Sequence, residues 1–239
     1  MTTRPATNRR ARAEIEYPTR DGRPMGETDL HRDVMVTAIE TLKLCYAGQR
    51  VYVSGNILLF YRPGNRRRHV SPDVLVTKGL QQQQRENYLL WQEGRPPNIV
   101  IEVTSKSTRE EDLEDKFEIY RDEVRVAEYF LFDPRAEYLH PALQGYRLQA
   151  GQYERIKRVA SRLPSLELGL HLEQDGKQLR FWDPAARRWL PTPQEARETA
   201  EAERQRAEAE RQQAEVKWRQ AEAEAVKLRQ ELELLRRKT

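Results

Sequence analysis

The sequence predicts an α/β domain with a mixed β-sheet flanked by helices, followed by a long charged α-helix. Three observations predict it. Strand-like and helix-like patterns alternate through the middle of the chain, the central strands are apolar almost without a break, and the final segment repeats every seven residues. Near-continuous apolar strands are expected where helices cover both faces of a sheet. Composition agrees: of 239 residues 38% are hydrophobic and 33% charged, and the apolar shortfall sits at one end. Residues 194–239 carry 11 basic and 11 acidic side chains and little that could fill a core. The expected division is a flexible basic arm over 1–26, a folded domain over 27–190, and a charged helix over 191–239.

In chain order, residues 1–26 hold six arginines against three acids and show no periodicity. From Asp29 to Tyr46, Leu30, Val34, Ala38, Leu42 and Cys45 recur at helical spacing, with Thr28 as N-cap. Val51–Tyr61 reads as one or two strands. Pro63-Gly64-Asn65 breaks the pattern and leaves Arg66-Arg67-Arg68-His69 on a hairpin tip. Asp73–Thr77 and Asn98–Thr104 are buried strands, separated by a polar segment from Gln81 to Gly94. A helix is expected over about Arg109–Asp122, a further buried strand over Val126–Phe132, and a closing hairpin over Leu179–Trp189.

The end of the chain is different in kind. Thr192-Pro193-Gln194-Glu195 is a helix start: N-cap, proline at the first turn, glutamate at the reciprocal position. Ala200, Ala207, Ala214, Ala221, Leu228 and Leu235 fall seven apart, with Arg204, Arg211, Trp218, Ala225 and Leu232 at the complementary positions, so the seam is apolar only from Ala214 onward. That seam is the pattern of a coiled-coil arm joining two copies of the chain; a solvated single helix is the alternative.

Net charge is +4, most of it in the amino-terminal arm. Basic arms can touch nucleic acid, though they also serve simply to solubilise. The single cysteine, Cys45, excludes an internal disulfide framework and a cysteine-based zinc site. No run of 18 apolar residues and no signal-peptide core are seen, so a cytoplasmic protein without membrane contact is expected.

The chemistry concentrates in PNIVIEVTSKSTREEDLEDKFEIY, Pro97–Tyr120. Glu102 stands inside an apolar strand, where an ionised carboxylate is costly unless a cation meets it. On the following helix, Lys116 and Asp112 fall on the same arc as Leu113, Phe117 and Tyr120, whereas Glu114, Asp115 and Glu118 face away. Asp73 begins the other apolar strand. Two acids on neighbouring strands can bind magnesium, a cation that takes oxygen ligands and often holds phosphate as well. A nearby ammonium then orients the attacking water and offsets transition-state charge. The plainer alternative is a structural Lys–Glu ion pair.

The ordered set Pro72-Asp73, Glu102, Ser105, Ser107, Asp112, Lys116, Tyr120 and Glu128-Tyr129-Phe130-Leu131-Phe132-Asp133-Pro134 resembles the Uma-two family of restriction endonucleases, within the PD-(D/E)XK nuclease superfamily. The resemblance spans roughly Glu27 to Trp189. It implies a restriction-endonuclease-like fold, Mg2+ or Mn2+ dependence and DNA as substrate. It also implies Asp73 and Glu102 as metal ligands and Lys116 as the catalytic lysine. The superfamily's lysine two residues after the glutamate is missing; that position is Thr104. The resemblance implies that Lys116 has taken the role, with Lys106 as a rival. Ser105, Asp112 and His31 are supporting candidates, and Glu27 or Glu40 could supply an acid from the first helix. Arg66, Arg67 and Arg68, with Arg9, Arg10 and Arg12 of the arm, are candidate phosphate contacts. The competing function is a non-catalytic DNA-binding or scaffolding module that recruits partners through its final helix.

Overall fold

Thr28 starts the first helix as its N-cap, its hydroxyl accepting the His31 N–H at 3.2 Å. In this computed structural model, which describes residues 16–20, 28–105 and 110–236, the helix α1 runs Asp29–Cys45 and buries Val34, Met35, Ala38, Ile39 and Leu42. The chain divides into two units, Met1–Leu190 and Pro191–Thr239.

The stretch read as one or two strands is two, and they join different sheets. β1 (Val51–Ser54) enters the main sheet, whereas β2 (Leu59–Phe60) pairs with β3 (His69–Val70) and β5 (Tyr88–Leu89) in a small three-stranded sheet. The break has a local cause. At Gly55 the chain passes so close to the Asp73 backbone that a Cβ would lie 1.9 Å from its carbonyl oxygen. Asn56 then turns with φ 54°, a conformation Asn tolerates better than most residues. Arg66-Arg67-Arg68 occupy the turn between β2 and β3, and the polar segment after β4 (Val74–Lys78) supplies β5 and the short helix α2 (Leu90–Glu93).

The main sheet has the order β1-β4-β6-β7-β8-β9, with β6 Ile99–Val103, β7 Glu128–Phe132, β8 Leu143–Gln149 and β9 Gln152–Arg155. All its pairings are antiparallel except β6 with β7, so the sheet is mixed. A parallel pair needs a crossover, and the helix α3 (residues 111–124) provides it. A second sheet contains β10 (Leu163–Ser165), β11 (Leu170–Asp175), β12 (Gln178–Asp183) and β13 (Arg188–Trp189). The expected closing hairpin is β12–β13, with Trp182 opposite Trp189.

Strand alternation distributes the side chains between two cores. Val74, Val76, Ile99, Ile101, Val103, Phe130 and Phe132 face α1 and the second sheet. Leu75, Val100, Tyr129 and Leu131 face Tyr120, Val124 and the small sheet. Position 102 therefore lies on the α3 side, as does position 73, two residues before Leu75.

α3 is not a regular α-helix. Its central turn Lys116–Glu118 lies between the π-helical turns Glu111–Asp115 and Ile119–Val124. Asp112, Tyr120 and Val124 are buried and Lys116 nearly so, a strict four-residue spacing. At 3.6 residues per turn such a row would drift by about 40° at each step. The wider π turns take up that drift.

In the second unit, Thr192 Oγ1 accepts the Glu195 N–H at 3.2 Å while the Glu195 carboxylate accepts the Thr192 N–H at 2.8 Å. This reciprocal cap was expected from the sequence, and the helix it starts, α4, spans Pro193–Arg236. Along it Trp218, Leu228 and Leu232 are more than half exposed. Among the described residues no helix is long and apolar enough to cross a membrane.

Candidate active site

Two carboxylates meet because of strand register. β4 and β6 pair with Val74 opposite Ile101, so one step further Asp73 lies opposite Glu102. The Asp73 N–H approaches Glu102 Oε2 at 3.4 Å, and Asp73 Oδ2 accepts the Val103 N–H at 2.7 Å. Glu102 is fully buried and Asp73 9% exposed.

The four-residue row of α3 faces them. Lys116 Nζ lies 3.1 Å from Glu102 Oε2 and 2.9 Å from Asp112 Oδ1. The Tyr120 hydroxyl donates to Glu102 Oε1 at 2.7 Å. Burial, reinforced by the charges of Asp73 and Asp112, pushes the Glu102 carboxyl well above its ordinary range, and Lys116 opposes that push. Burial acts to lower the Lys116 pKa, but Glu102, Asp112 and Asp73 together raise it above the usual lysine value, so the ammonium stays charged. Burial and the neighbouring Glu102 likewise keep the Tyr120 phenol protonated.

From the opposite face, His31 in the first turn of α1 reaches the end of the sheet, its Nε2 3.1 Å from Asp73 Oδ2. A continuous chain of contacts thus runs His31, Asp73, Glu102, Lys116, Asp112. Concave surfaces lie at both ends of it. On the α3 side a cleft of about 730 Å3 is lined by Arg67, Arg68 and Ser71 on one wall and Glu111, Asp115 and Lys116 on the other. On the α1 side a cavity of about 400 Å3 includes His31, Ser105 and Tyr138.

The other expected residues are placed less centrally. Arg66 is in the same turn, its carbonyl contacting His69 Nδ1 at 3.0 Å, but does not line the cleft. Glu40 is half-exposed and ion-paired with Lys43 at 2.9 Å, and no contact joins it to the carboxylates. Glu27, Lys106, Ser107, Arg9, Arg10 and Arg12 lie outside the described residues. A second buried glutamate, Glu128, sits at the far end of β7 and is structural. Arg147 at 2.8 Å, the Ser165 hydroxyl and the Leu166 N–H at 3.0 Å satisfy it.

The donor set suits a hard divalent cation in type and charge. Asp73, Glu102 and Asp112, all buried, face one ammonium, so carboxyl groups outnumber lysine charge in a low-dielectric site, and a bound cation would favour the ionised form of Glu102. Among the described residues no three His, Cys, Asp or Glu side chains already converge as a ligand group. Glu102 Oε2 is held by Lys116 instead.

A family profile described as "Uma2: Putative restriction endonuclease" matches residues 7–177, well over half of the chain. The chain belongs to the Uma2 family. Among solved structures, a "putative nuclease belonging to DUF820 from Anabaena variabilis ATCC 29413" matches 63% of this Uma2 chain and 80% of its own, at 15% identity and a TM-score of 0.44. No curated protein matches. Within the Uma2 match lie His31, Asp73, Glu102, Asp112, Lys116 and Tyr120, all the members of the contact chain and its tyrosine. The hydroxyl of Tyr120 as the anchor of Glu102 was not foreseen from the sequence. The four-residue interval linking Asp112, Lys116 and Tyr120 was the available signal.

Proposed function

We propose that this Uma2 chain is a divalent-metal-dependent DNA endonuclease that hydrolyses phosphodiester bonds. The observation that carries the proposal is the set of three buried carboxylates around the single ammonium of Lys116. Asp73 and Glu102 would hold Mg2+ or Mn2+, which when bound neutralises phosphate charge and acidifies water. Tyr120 fixes one oxygen of Glu102, and Val103 N–H with His31 fixes one oxygen of Asp73. Both carboxylates are therefore oriented before substrate arrives. Lys116, kept charged by its neighbours and lining the cleft, stabilises the negative charge that develops on the phosphoryl oxygens. Arg67 and Arg68 on the facing wall contact flanking phosphates, a sequence-independent role that salt weakens.

Supercoiled DNA incubated with the protein and magnesium or manganese tests this reading. Nicking by the wild type and its loss in Asp73→Ala and Glu102→Ala are expected. Equal nicking by all three proteins, or none by any, overturns the enzyme. Salt-sensitive DNA binding without nicking would instead support the non-catalytic module.

The row of Trp218, Leu228 and Leu232 along α4 supports self-association of this helix as a homodimerising coiled coil. Light scattering on a chain cut after Leu190 should then give a monomer in place of a dimer, about two-fifths of the full-length mass because each chain falls from 239 to 190 residues; an unchanged oligomeric number rejects the coiled coil.

A further inference from the structure

The cavity on the α1 side of the carboxylates plays no part in the chemistry described so far. Its walls come from the start of α1 (Leu30, His31), the residues after β6 (Thr104, Ser105) and the loop after β7 (Pro134, Tyr138). β6 and β7 are parallel, and open α/β sheets receive ligands outside the carboxyl ends of such strands. A volume of about 400 Å3 falls within the range of small-ligand sites, about 300–1,000 Å3.

The loop wall is firmly built. Asp133, 1% exposed, accepts the Arg135 N–H at 3.0 Å through one oxygen and the N–H groups of Tyr138 and Leu139 at 2.9 and 3.2 Å through the other. The Tyr138 hydroxyl is 2.8 Å from Thr104 Oγ1. An aromatic ring is thus held in place in advance, beside the apolar groups of Leu30 and Pro134. Arg135 and the Ser105 hydroxyl add polar groups to the same walls. Apolar walls around an aromatic ring, with donors and acceptors at the margin, suit a flat heteroaromatic ring with polar edges. His31 belongs both to this cavity and to the carboxylate chain, its Nε2 3.1 Å from Asp73 Oδ2. A group held here is one side chain away from the carboxylates.

We infer that the cavity receives a nucleobase, turned out of the stack, from the strand whose phosphate lies at Asp73 and Glu102. The inference rests on the nuclease reading and adds to it a recognition step. Unstacking a base is costly, so a pocket that rewards it selects mismatched, damaged or single-stranded positions.

Fluorescence anisotropy tests it without turnover. The full chain is titrated, with calcium replacing magnesium, into end-labelled single strands that are identical except for one abasic nucleotide moved along the series. For the wild type, one position is expected at which the missing base weakens binding about tenfold, the scale of one base–aromatic contact. In Tyr138→Ala the intact strand should bind correspondingly more weakly, and the abasic nucleotide should cost nothing further. Tyr138→Phe, which keeps the ring, should behave as wild type. Wild-type binding indifferent to every abasic position overturns the base site, as does an abasic penalty undiminished in Tyr138→Ala. Failure to bind the intact strand overturns it too. Nicking of supercoiled DNA by a protein indifferent to abasic strands would remove the base site and leave the nuclease standing.

Discussion

Replacing Lys116 by methionine is expected to lower stability by about 3–5 kcal/mol, the scale of removing one partner from a buried ion pair. The lysine side chain is 13% exposed and lies within 3.1 Å of two carboxylates, so its loss removes the ammonium that meets Glu102 and Asp112 and offsets the charge of Asp73. The deficit should depend on pH, and its sign follows from the direction of the Glu102 shift. A carboxyl raised above its ordinary value of 4.5 favours the fold while protonated, and that contribution is lost as pH rises through the folded value. Without Lys116 to pull the folded value down, more is lost on the way to neutrality. Thermal melts in EDTA should therefore show wild type and variant far apart at neutral pH and converging as pH falls toward 4.5. A gap that stays constant with pH would mean that only packing was lost. Nicking, measured where both proteins are folded, should fall at least ~100-fold with the loss of a transition-state charge partner.

Gly55→Ala is expected to damage the site without touching any charged group. The added Cβ would lie 1.9 Å from the Asp73 carbonyl oxygen and 2.7 Å from Ile39 Cδ1, one a rigid backbone atom and the other part of the α1 core. Overpacking of this kind costs about 1–3 kcal/mol. Relief requires the backbone at residue 73 to move away, and Asp73 is held on its other side by Val103 N–H and His31. A displacement near 1 Å at a catalytic group can cost on the order of 100-fold in rate. Metal-dependent nicking by folded Gly55→Ala should drop by about that factor, with a lower melting temperature. A wild-type rate would show that residue 73 does not need its present place.

These two residues also show what the sequence could and could not reveal. Lys116 was legible because helical spacing placed it with apolar neighbours, where a charge needs a partner. Glu102 was legible for the same reason inside its strand, and Thr192 and Glu195 because a reciprocal cap is a local signal. Gly55 was not legible, since its constraint comes from Asp73, distant in sequence and brought close only by sheet pairing. The same limit hid the cavity at Tyr138, whose partners are Thr104 and Asp133 on separate strand ends. It also left Glu40 a candidate, although its charge is neutralised on its own helix by Lys43. The split of Val51–Tyr61 between two sheets depends on that same close approach and leaves no periodic trace.

The widened turns of α3 give the helix the function of a spacer whose marks fall every four residues. Asp112, Lys116 and Tyr120 are successive marks on one line, and that line ends on one carboxylate. Were both widened turns to close to ordinary pitch with the same residues, each mark would lead the one before it by about 40°, and Asp112 and Tyr120 would diverge by about 80°. The helix would survive such a change and its alignment would not. In a chain of this kind, substitutions that only favour regular helical pitch in this segment would separate an aligned site from an intact but misaligned fold.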